Sequence, residues 1–573
     1  MARSMLILAI ALAFIGSMAD AAVVEHTFHV GNLTVRRLCR SKVITAVNGR
    51  FPGPTLDVHE GDTLVVNVIN DSPYDMTIHW HGIFQILSAW ADGPNMITQC
   101  PIRPGRSYTY KFTITGQEGT LWWHAHASVL RATVYGALVI RPRQGTKAYP
   151  FPQPDEEVPI LLGEWWNANV VDVANQAFLT GGTPNISDAY TINGKTGDLY
   201  PCSKKHTYKL QVEKGKTYLL RIINAALDNQ LFFKIAEHGF TVVAVDAGYT
   251  KPYKTDVIAI APGQTVDALM VADAPPAGYY MAALPYISTA NPPPPRPAFD
   301  NTTTTGIVQY KSASPSLPPV MPAMPSFFDN DAAFRFYSHL TALCRSGDRI
   351  VPHHVDERML VTVGLGLVAC RPTQLLCNQS QGALAASMNN VSFQFPTTMS
   401  LLEAHFKGAE GIYTADFPDR PPVFFDFTNA SVNVVPALQP LSFASQATKV
   451  KKLKYNTVVE MVLQGTAILG IESHPMHLHG FDFFVVAQGF GNYDRAAAEK
   501  SYNLVDPQVR NTISVPTGGW AVIRFIANNP GVWIMHCHLD AHLSFGLAMA
   551  FEVENGPTPE STLPPPPPDF PTC

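Results

Sequence analysis

The sequence has no run of apolar residues long enough to cross a membrane. A transmembrane α-helix needs about 20 of them, and no stretch of this 573-residue chain reaches that length. The nearest approach is at the amino terminus, where Arg3 precedes a short apolar core, Met5–Gly16, and the small residues Ala19-Asp20-Ala21. This order is typical of a secretory signal peptide. We therefore predict a cleaved signal over residues 1–22 and a secreted, extracellular product without a membrane anchor.

The chain has few charged residues, and positive charges are not in excess. Charged residues make up 15% of the chain, and the formal net charge is −5. A nucleic-acid-binding protein has a basic footprint, so these values argue against nucleic acid as a partner. Hydrophobic residues make up 46%, which excludes a disordered chain and allows substantial cores. The length predicts about three domains.

Cysteine is limited to eight positions, 39, 100, 202, 344, 370, 377, 537 and 573. An oxidising compartment favours their pairing. If Cys537 is a metal ligand, seven remain, which allows three disulfides and one free thiol; spacing alone does not fix the pairing. The same compartment permits N-glycosylation. Seven Asn-x-Ser/Thr sequons predict a glycoprotein, at Asn32, Asn70, Asn185, Asn301, Asn378, Asn390 and Asn429.

Short β-rich runs, separated by Gly, Pro and Asn, fill most of the chain. Examples are Thr63–Ile69 in a first block and Thr217–Ile223 in a second. This spacing predicts an all-β fold of Greek-key sandwich or barrel domains. Phrases recur between blocks, such as Glu60–Leu64 and Glu213–Tyr218, which indicates repeated domains of one fold. We predict domains at residues 23–145, 155–310 and 349–573, a linker at 311–348, and an extended carboxyl-terminal tail.

Four histidine-rich motifs lie in the outer blocks. They hold ten of the 19 histidines: His79 and His81; His124 and His126; His474, His477 and His479; His536, His538 and His542. On a strand, each His-x-His places two imidazoles on one face, and Cys537 points away from His536 and His538. One tripeptide can therefore serve two metal sites, one with a thiolate and one rich in imidazole.

Two other interpretations of these motifs agree less well with the sequence. Separate buried histidines would not cluster in this way. A structural zinc site closes at four ligands, whereas this chain offers eleven candidates. Copper suits imidazole and thiolate together.

The motifs resemble those of the multicopper oxidases, and plant laccases in particular. The resemblance extends beyond the histidines to Val47–Thr55 (VNGRFPGPT), Trp90–Pro94 (WADGP), Gln99–Pro101 (QCP) and Leu130–Ala137 (LRATVYGA). It covers nearly the whole mature chain. It implies three cupredoxin-like domains and four copper ions, one of type 1, one of type 2 and a pair of type 3.

The resemblance also implies which residues bind each copper. Type 1 copper takes His474, Cys537 and His542, and Leu547 stands where a coordinating methionine would be, so it is a non-coordinating axial residue. Type 2 copper takes His79 and His477. The type 3 pair takes His81, His124, His126, His479, His536 and His538. The trinuclear cluster is then expected between the first and third domains.

The implied activity is the one-electron oxidation of phenols, coupled to reduction of dioxygen to water. Substrates are expected to be monolignols or lignin-related phenols, with a role in lignin polymerisation or catabolism in the apoplast. Electrons are expected to enter through an exposed edge of His474 and to cross Cys537. Asp92 and Asp540 are either proton-relay carboxylates or turn caps. A monomer is expected.

The resemblance further implies disulfides between Cys39 and Cys202 and between Cys100 and Cys573. It also suggests a local Cys370–Cys377 bridge that leaves Cys344 free, although Cys344 pairing with either of these two is the alternative. His353-His354 is interpreted as a solvated loop pair. Two other functions stay open: an ascorbate or metal-ion oxidase of the same architecture, and a copper-free, non-enzymatic cell-wall relative.

Overall fold

A computed structural model describes residues 21–143, 149–287, 299–313, 317–345, 347, 349–430 and 439–573. The predicted signal peptide therefore lies almost wholly outside the described residues. Within them the chain forms three successive blocks, each built from two β-sheets, which confirms the predicted all-β class. No helix in the described ranges is long and apolar enough to cross a membrane.

The first block forms because its strands alternate between buried and less buried residues, as in Thr63–Asn70. Its two four-stranded sheets have the orders β2-β1-β4-β6 and β3-β8-β7-β5. The strands are β1 (Val23–Arg37), β2 (Arg40–Val47), β3 (Leu56–His59), β4 (Thr63–Asn70), β5 (Ile78–His81), β6 (Ser107–Thr113), β7 (Gly119–Ala125) and β8 (Tyr135–Arg141).

The second block packs a six-stranded sheet against a five-stranded one, with the orders β10-β9-β12-β17-β14-β15 and β11-β19-β18-β13-β16. Its elements are β9 (Glu156–Trp165), α1 (Val170–Thr180), β10 (Ala189–Ile192), β11 (Tyr208–Val212), β12 (Thr217–Asn224), β13 (Leu231–Ile235), β14 (Phe240–Val245), β15 (Gly248–Thr255), β16 (Ile258–Ile260), β17 (Thr265–Val271), β18 (Gly278–Pro285), β19 (Thr304–Tyr310) and α2 (Asn330–Ser338).

The third block has an eight-stranded and a five-stranded sheet, with the orders β23-β22-β21-β20-β25-β30-β27-β28 and β24-β32-β31-β26-β29. Its elements are β20 (Glu357–Val368), β21 (Ala383–Met388), β22 (Val391–Phe393), α3 (Leu401–Lys407), β23 (Ser445–Ala447), β24 (Val450–Leu453), β25 (Thr457–Gly465), β26 (His474–Leu478), β27 (Phe483–Phe490), α4 (Arg495–Ala498), β28 (Val509–Arg510), β29 (Thr512–Val515), β30 (Gly519–Ala527), β31 (Gly531–Cys537), α5 (Asp540–Ser544) and β32 (Ala548–Val553). Short 3-10 turns occur at Ala89–Ala91, Leu130–Ala132, Lys204–His206, Gln439–Ser442, Glu499–Ser501 and Pro559–Ser561.

The prediction of a linker over residues 311–348 was wrong for part of that segment. It contains α2, which begins after Asp329, whose side chain accepts a hydrogen bond from the Ala332 N–H. Phe336 and Tyr337 of α2 are buried in the core of the second block. The start of the segment is rich in proline and serine, which is typical of a linker. The helix follows it, and its apolar residues have the spacing of one buried helical face.

Three disulfides join Cys39 to Cys202, Cys100 to Cys573, and Cys370 to Cys377, the pairs that the resemblance implies. Cys344 and Cys537 are free thiols, the first exposed and the second buried. The first disulfide ties the first block to the second, and the next ties the first block to the carboxyl-terminal tail.

One predicted glycosylation site does not fit the folded chain. The side chain of Asn70 is fully buried, and its amide donates hydrogen bonds to the carbonyls of Tyr74 and Ile102 at 2.8 and 2.7 Å. A glycan on that nitrogen would require both bonds to break. The other six sequon asparagines are exposed or half-buried: 32, 185, 301, 378, 390 and 429.

Candidate metal centre

Two neighbouring strands carry the histidines of the first block. β5 and β7 pair antiparallel, with His79 opposite His124. His81 ends β5, and His126 follows the end of β7. Both strands are buried throughout, so the imidazoles of His79, His81 and His124 are shielded from bulk water and must find partners inside the protein. His126 is half-buried.

The third block supplies its ligands from β26 and β31 in the same way. These strands pair antiparallel, with His477 opposite His536 and Met476 opposite Cys537. Because side chains alternate along β31, His536 lies on one face and Cys537 on the other. Every residue of both strands is buried.

Eight histidines from the two blocks meet in one cluster. The Nε2 atoms of His479 and His536 lie 3.1 Å apart, and those of His126 and His536 lie 3.4 Å apart. On the other side, His538 Nε2 lies 3.2 Å from His81 Nδ1. Three groups of candidate donors, each with ligand atoms within 4.8 Å of one another, include His79, His81, His124, His126, His477, His479 and His536.

Hydrogen bonds at the outer nitrogens fix which nitrogen of each ring faces inward. The Nδ1–H groups of His79, His124 and His477 donate to the backbone carbonyls of Asp92, Ala125 and Asn511 at 2.8, 2.9 and 2.9 Å. Nε2 then carries the lone pair that a metal needs. In all three rings this Nε2 is buried and has no protein hydrogen-bond partner among the described residues. Such orphaned nitrogens fit a metal-binding role.

His81 is turned the other way. Its Nε2 lies 3.2 Å from both the Asn511 side-chain oxygen and the Thr512 hydroxyl, so its Nδ1 faces the cluster. Asn511 lies between β28 and β29 of the third block, and Thr512 is the first residue of β29. The third block therefore orients a ligand that the first block contributes.

Asp92 is fully buried beside the cluster. Its Oδ2 accepts a hydrogen bond from His479 Nδ1 at 2.9 Å, and its Oδ1 lies 3.3 Å from His79 Nδ1. Gly93, at φ +98°, lets this turn approach β5, because a Cβ there would collide with the Ile78 carbonyl. Asp92 therefore orients one ligand from each block: its carboxylate accepts from His479, and its backbone carbonyl accepts from His79.

Cys537 forms the second centre with His474 and His542. Its Sγ lies 3.9 Å from His474 Nδ1 and 3.6 Å from His542 Nδ1, and the two Nδ1 atoms are 3.3 Å apart. The Cys537 N–H donates to the carbonyl of the buried Leu547 at 3.0 Å. Burial raises the pKa of the Cys537 thiol well above its ordinary value, so a thiolate here needs a cation beside it.

Burial also keeps the imidazoles in the neutral form that binds metals. It lowers the pKa of His536 to about 3 and that of His542 to about 4, and it moves the pKa of His81, His124, His126, His474, His477, His479 and His538 in the same direction. Neutral imidazoles with one thiol are a donor set that suits copper.

The prediction of an exposed His474 edge was wrong. His474 is 1% exposed, whereas His542 is 7% exposed. The Nε2 of His542 faces outward and lies 3.4 Å from the Glu472 carboxylate. Burial raises the pKa of Glu472 to about 7. A role for Glu472 was not predicted from the sequence. Its position two residues before His474 was the available signal that its side chain could lie near the cysteine centre.

Arg131 is a second residue that sequence reasoning missed. Its guanidinium is buried, contacts the His538 ring, and donates to the Leu227 carbonyl at 3.2 Å. It also lies 3.6 Å from the Asp540 carboxylate. Burial raises the pKa of Asp540 to about 7, against the opposing effect of Arg131. Arg131 lies in the LRATVYGA phrase, which was the available signal.

A cavity of about 410 Å³ leads toward the histidine cluster from the junction of the three blocks. Its inner end contains His124, His126 and His536, and its wall includes α1. Asp540 also lines it, whereas Asp92 does not. His353 and His354 lie elsewhere; both are exposed, and His354 pairs with Asp356 at 2.9 Å.

Comparison with known proteins identifies the family. Multicopper oxidase family models match residues 29–145, 156–313 and 416–557. Laccase-7 of Arabidopsis thaliana is 60% identical, over 99% of this chain and 98% of that protein. Laccase-25 of Oryza sativa subsp. japonica is 58% identical, over 99% of each.

Solved structures agree with this result. The crystal structure of a laccase from Botrytis aclada superposes with a TM-score of 0.71 at 26% identity, covering 96% of this chain and 90% of that one. The donor set described above fits the copper that this family binds. The chain therefore belongs to the multicopper oxidase family and, within it, to the plant laccases.

Proposed function

We propose that the chain binds four copper ions in the arrangement that its donor groups suggest. A type 1 ion would be held by His474, Cys537 and His542, and a type 2 ion by His79 and His477. The type 3 pair would be held by two triads, His126 with His479 and His536, and His81 with His124 and His538. The short nitrogen–nitrogen distances from His536 to His126 and His479, and from His538 to His81, support this division. The side chain of Leu547, which is buried next to Cys537, has no donor atom and would not bind this ion.

The reaction we propose is the one-electron oxidation of phenols, probed best by monolignols. Four phenols lose one hydrogen atom each to give four phenoxyl radicals, and one dioxygen gains those four electrons and four protons to give two waters. Copper, when bound, would supply electron acceptance at the cysteine centre and dioxygen reduction at the histidine cluster.

The observation that carries the proposal is the short connection between the two centres. Cys537 is covalently adjacent to His536 and His538, which belong to the other centre. In addition, the His536 Nδ1–H donates to the Cys537 carbonyl at 2.9 Å. The backbone and this hydrogen bond together give two routes between the thiol and the cluster, with no side chain intervening.

Phenols are proposed to dock at His542, because its outward Nε2 is the more exposed edge of the cysteine centre. The Glu472 carboxylate beside it can accept a hydrogen bond from a phenol hydroxyl. At the cluster, Asp92 orients His79 and His479. Asp540 lies on the cavity wall and is the better placed of the two to pass protons from water.

We further propose that the protein is a secreted, monomeric glycoprotein of the apoplast, acting in lignin polymerisation or catabolism. The signal-like amino terminus, the six accessible sequons and the three disulfides support an extracellular location.

The test is a copper count on the purified glycoprotein, with its visible spectrum and with oxygen uptake on sinapyl alcohol, ascorbate and Fe(II). We expect four coppers per chain, a blue absorption band, and rapid uptake on the phenol. Cys537→Ser should lose the band and the uptake while keeping three coppers. Faster uptake on ascorbate or Fe(II) would assign one of the alternative oxidases. Absence of copper would assign a non-enzymatic relative.

A further inference from the structure

A dense group of positive charges lies outside both metal centres, on a chain whose net charge is −5. We call it the basic patch; its members are Arg36, Arg37, Arg40, Lys195, Lys204, Lys205 and His206. Arg36, Arg40, Lys204 and Lys205 are exposed, and the other three are half-exposed. Six permanent cations on one surface oppose the charge of the rest of the protein.

Three separate segments build the patch, and specific contacts hold them together. The tip of the β1–β2 hairpin, where Arg37 is opposite Arg40, is linked to the Lys204–His206 turn by the Cys39–Cys202 disulfide. Arg37 Nε donates to the Gly194 carbonyl at 2.6 Å, which brings the hairpin against Lys195. The patch is therefore a fixed surface rather than a set of independent side chains.

The charges of the patch are not neutralised by the protein itself. Among the described residues, none of its lysines and arginines lies within 4.0 Å of a carboxylate; the ion pairs found all involve other residues. Asp198, which is close in sequence, is engaged by the hydroxyls of Tyr280 and Thr305 at 2.8 and 3.0 Å. Burial and then the nearby Arg37, Arg36 and Lys195 lower the pKa of His206, as expected where like charges crowd together.

We propose that the basic patch docks the enzyme on a carboxylate-bearing polysaccharide, such as a polymer of uronic acid. Unpaired cations held in a fixed array attract a polyanion and release its counterions on contact. The proposal rests on the extracellular location proposed above, because acidic polysaccharide rather than nucleic acid is then the abundant polyanion. The three described segments that form the patch, residues 36–40, 194–195 and 204–206, contain no Phe, Tyr or Trp on which bases would stack.

The experiment measures retention of the copper-loaded glycoprotein on immobilised polygalacturonate as salt is raised. Methyl-esterified polygalacturonate, which has lost its charges, is the control polymer. The test variant is Arg40→Glu/Lys204→Glu/Lys205→Glu. We expect binding to the charged polymer only, loss of binding at high salt, and roughly tenfold weaker binding by the variant.

The matched control variant is Lys254→Glu/Lys454→Glu/Lys500→Glu. It makes the same change in net charge at exposed lysines outside the patch, and Lys254 lies on β15, at the opposite sheet edge from β10. It should bind nearly as the parent does, and both variants should oxidise phenols normally.

Equal weakening by both variants, or binding that survives esterification, would overturn the proposal. Tighter binding to phosphatidylserine vesicles or to single-stranded DNA would assign the patch to those partners instead. Because phenol oxidation is measured on the same preparations, failure of docking is distinguished from failure of the proposed activity.

Discussion

Replacing Asp92 with alanine removes the acceptor for one imidazole of the cluster but not for another. His479 Nδ1 donates to the Asp92 carboxylate at 2.9 Å, whereas His79 Nδ1 donates to the Asp92 backbone carbonyl at 2.8 Å. The backbone carbonyl survives the substitution. We therefore expect His479 to lose its orientation while His79 keeps it, so that copper bound through His479 becomes labile first.

Two estimates of the free-energy cost of losing this acceptor agree. A buried N–H left without an acceptor costs about 1–3 kcal/mol. Removing a carboxylate that orients a metal-binding histidine typically costs about 10- to 100-fold in metal affinity, which corresponds to about 1.4–2.8 kcal/mol. Asp92→Asn keeps an oxygen acceptor in the same place and should cost less.

The assay is dialysis of each variant against rising concentrations of a copper chelator, followed by copper analysis and a visible spectrum. For Asp92→Ala, one part of the copper should leave at roughly 10- to 100-fold lower chelator concentration, while the blue band of the Cys537 centre persists. Asp300→Asn controls for loss of a buried carboxylate; Asp300 is 4% exposed, accepts from the Ser187 hydroxyl at 2.8 Å, and lies in the second block.

An unchanged chelation curve for Asp92→Ala would refute this reasoning. So would loss of the blue band before the other copper, because that order would mean a general loosening of the third block. If Asp300→Asn lowered the chelator concentration that removes copper as much as Asp92→Ala does, the effect would also be general and not specific to His479.

Three further outcomes are expected. Glu472→Gln should raise the KM for phenols about fivefold without changing the blue band; an unchanged KM in steady-state assays would contradict its docking role. Arg510→Met leaves the buried Asp246 carboxylate unpaired, which should cost about 3–5 kcal/mol of unfolding free energy; in calorimetry, adding Asp246→Leu should recover part of it. Asn70→Gln should leave the glycopeptide map unchanged, whereas Asn301→Gln should remove one glycan.

The strands could be predicted because their signal is local. Thr217–Ile223 was predicted from its β-branched and aromatic residues, and the structure has a strand at Thr217–Asn224. The histidine motifs are local in the same sense, since the two-residue strand period places His536 and the thiol of Cys537 on opposite faces. Neither inference needs knowledge of how the domains pack.

The contacts that orient the metal-binding histidines could not be predicted from local sequence patterns. Asp92 and His479 are 387 residues apart in sequence, and Arg131 and His538 are 407 apart. These pairs meet only when the first and third blocks dock. The same limit explains the error at His474, because burial of its edge depends on how the second and third blocks pack around it.

The linker predicted at residues 311–348 was wrong in part for a different reason, because it was based on composition. The start of the 311–348 segment is rich in proline and serine, and this composition favours a linker over the whole stretch up to the next strand. The residues Ala333, Phe336 and Tyr337 have the i, i+3, i+4 spacing of a buried helical face. The periodicity of these apolar residues, rather than the overall composition of the segment, is the signal that indicates α2.

Without metal, the buried histidine cluster costs folding free energy. This cost accounts for its place at the junction of the first and third blocks. Three of its rings carry a buried Nε2 without a protein partner in the described ranges, each costing about 1–3 kcal/mol unless a metal binds there. Within one domain that cost would fall on a single core. At the junction, each outer block has a large apolar core of its own, and a few first-block residues, Ala89, Trp90 and Ile97, pack into the core of the third block. Metal binding can then stabilise their docking, because neither block alone holds the eight donors.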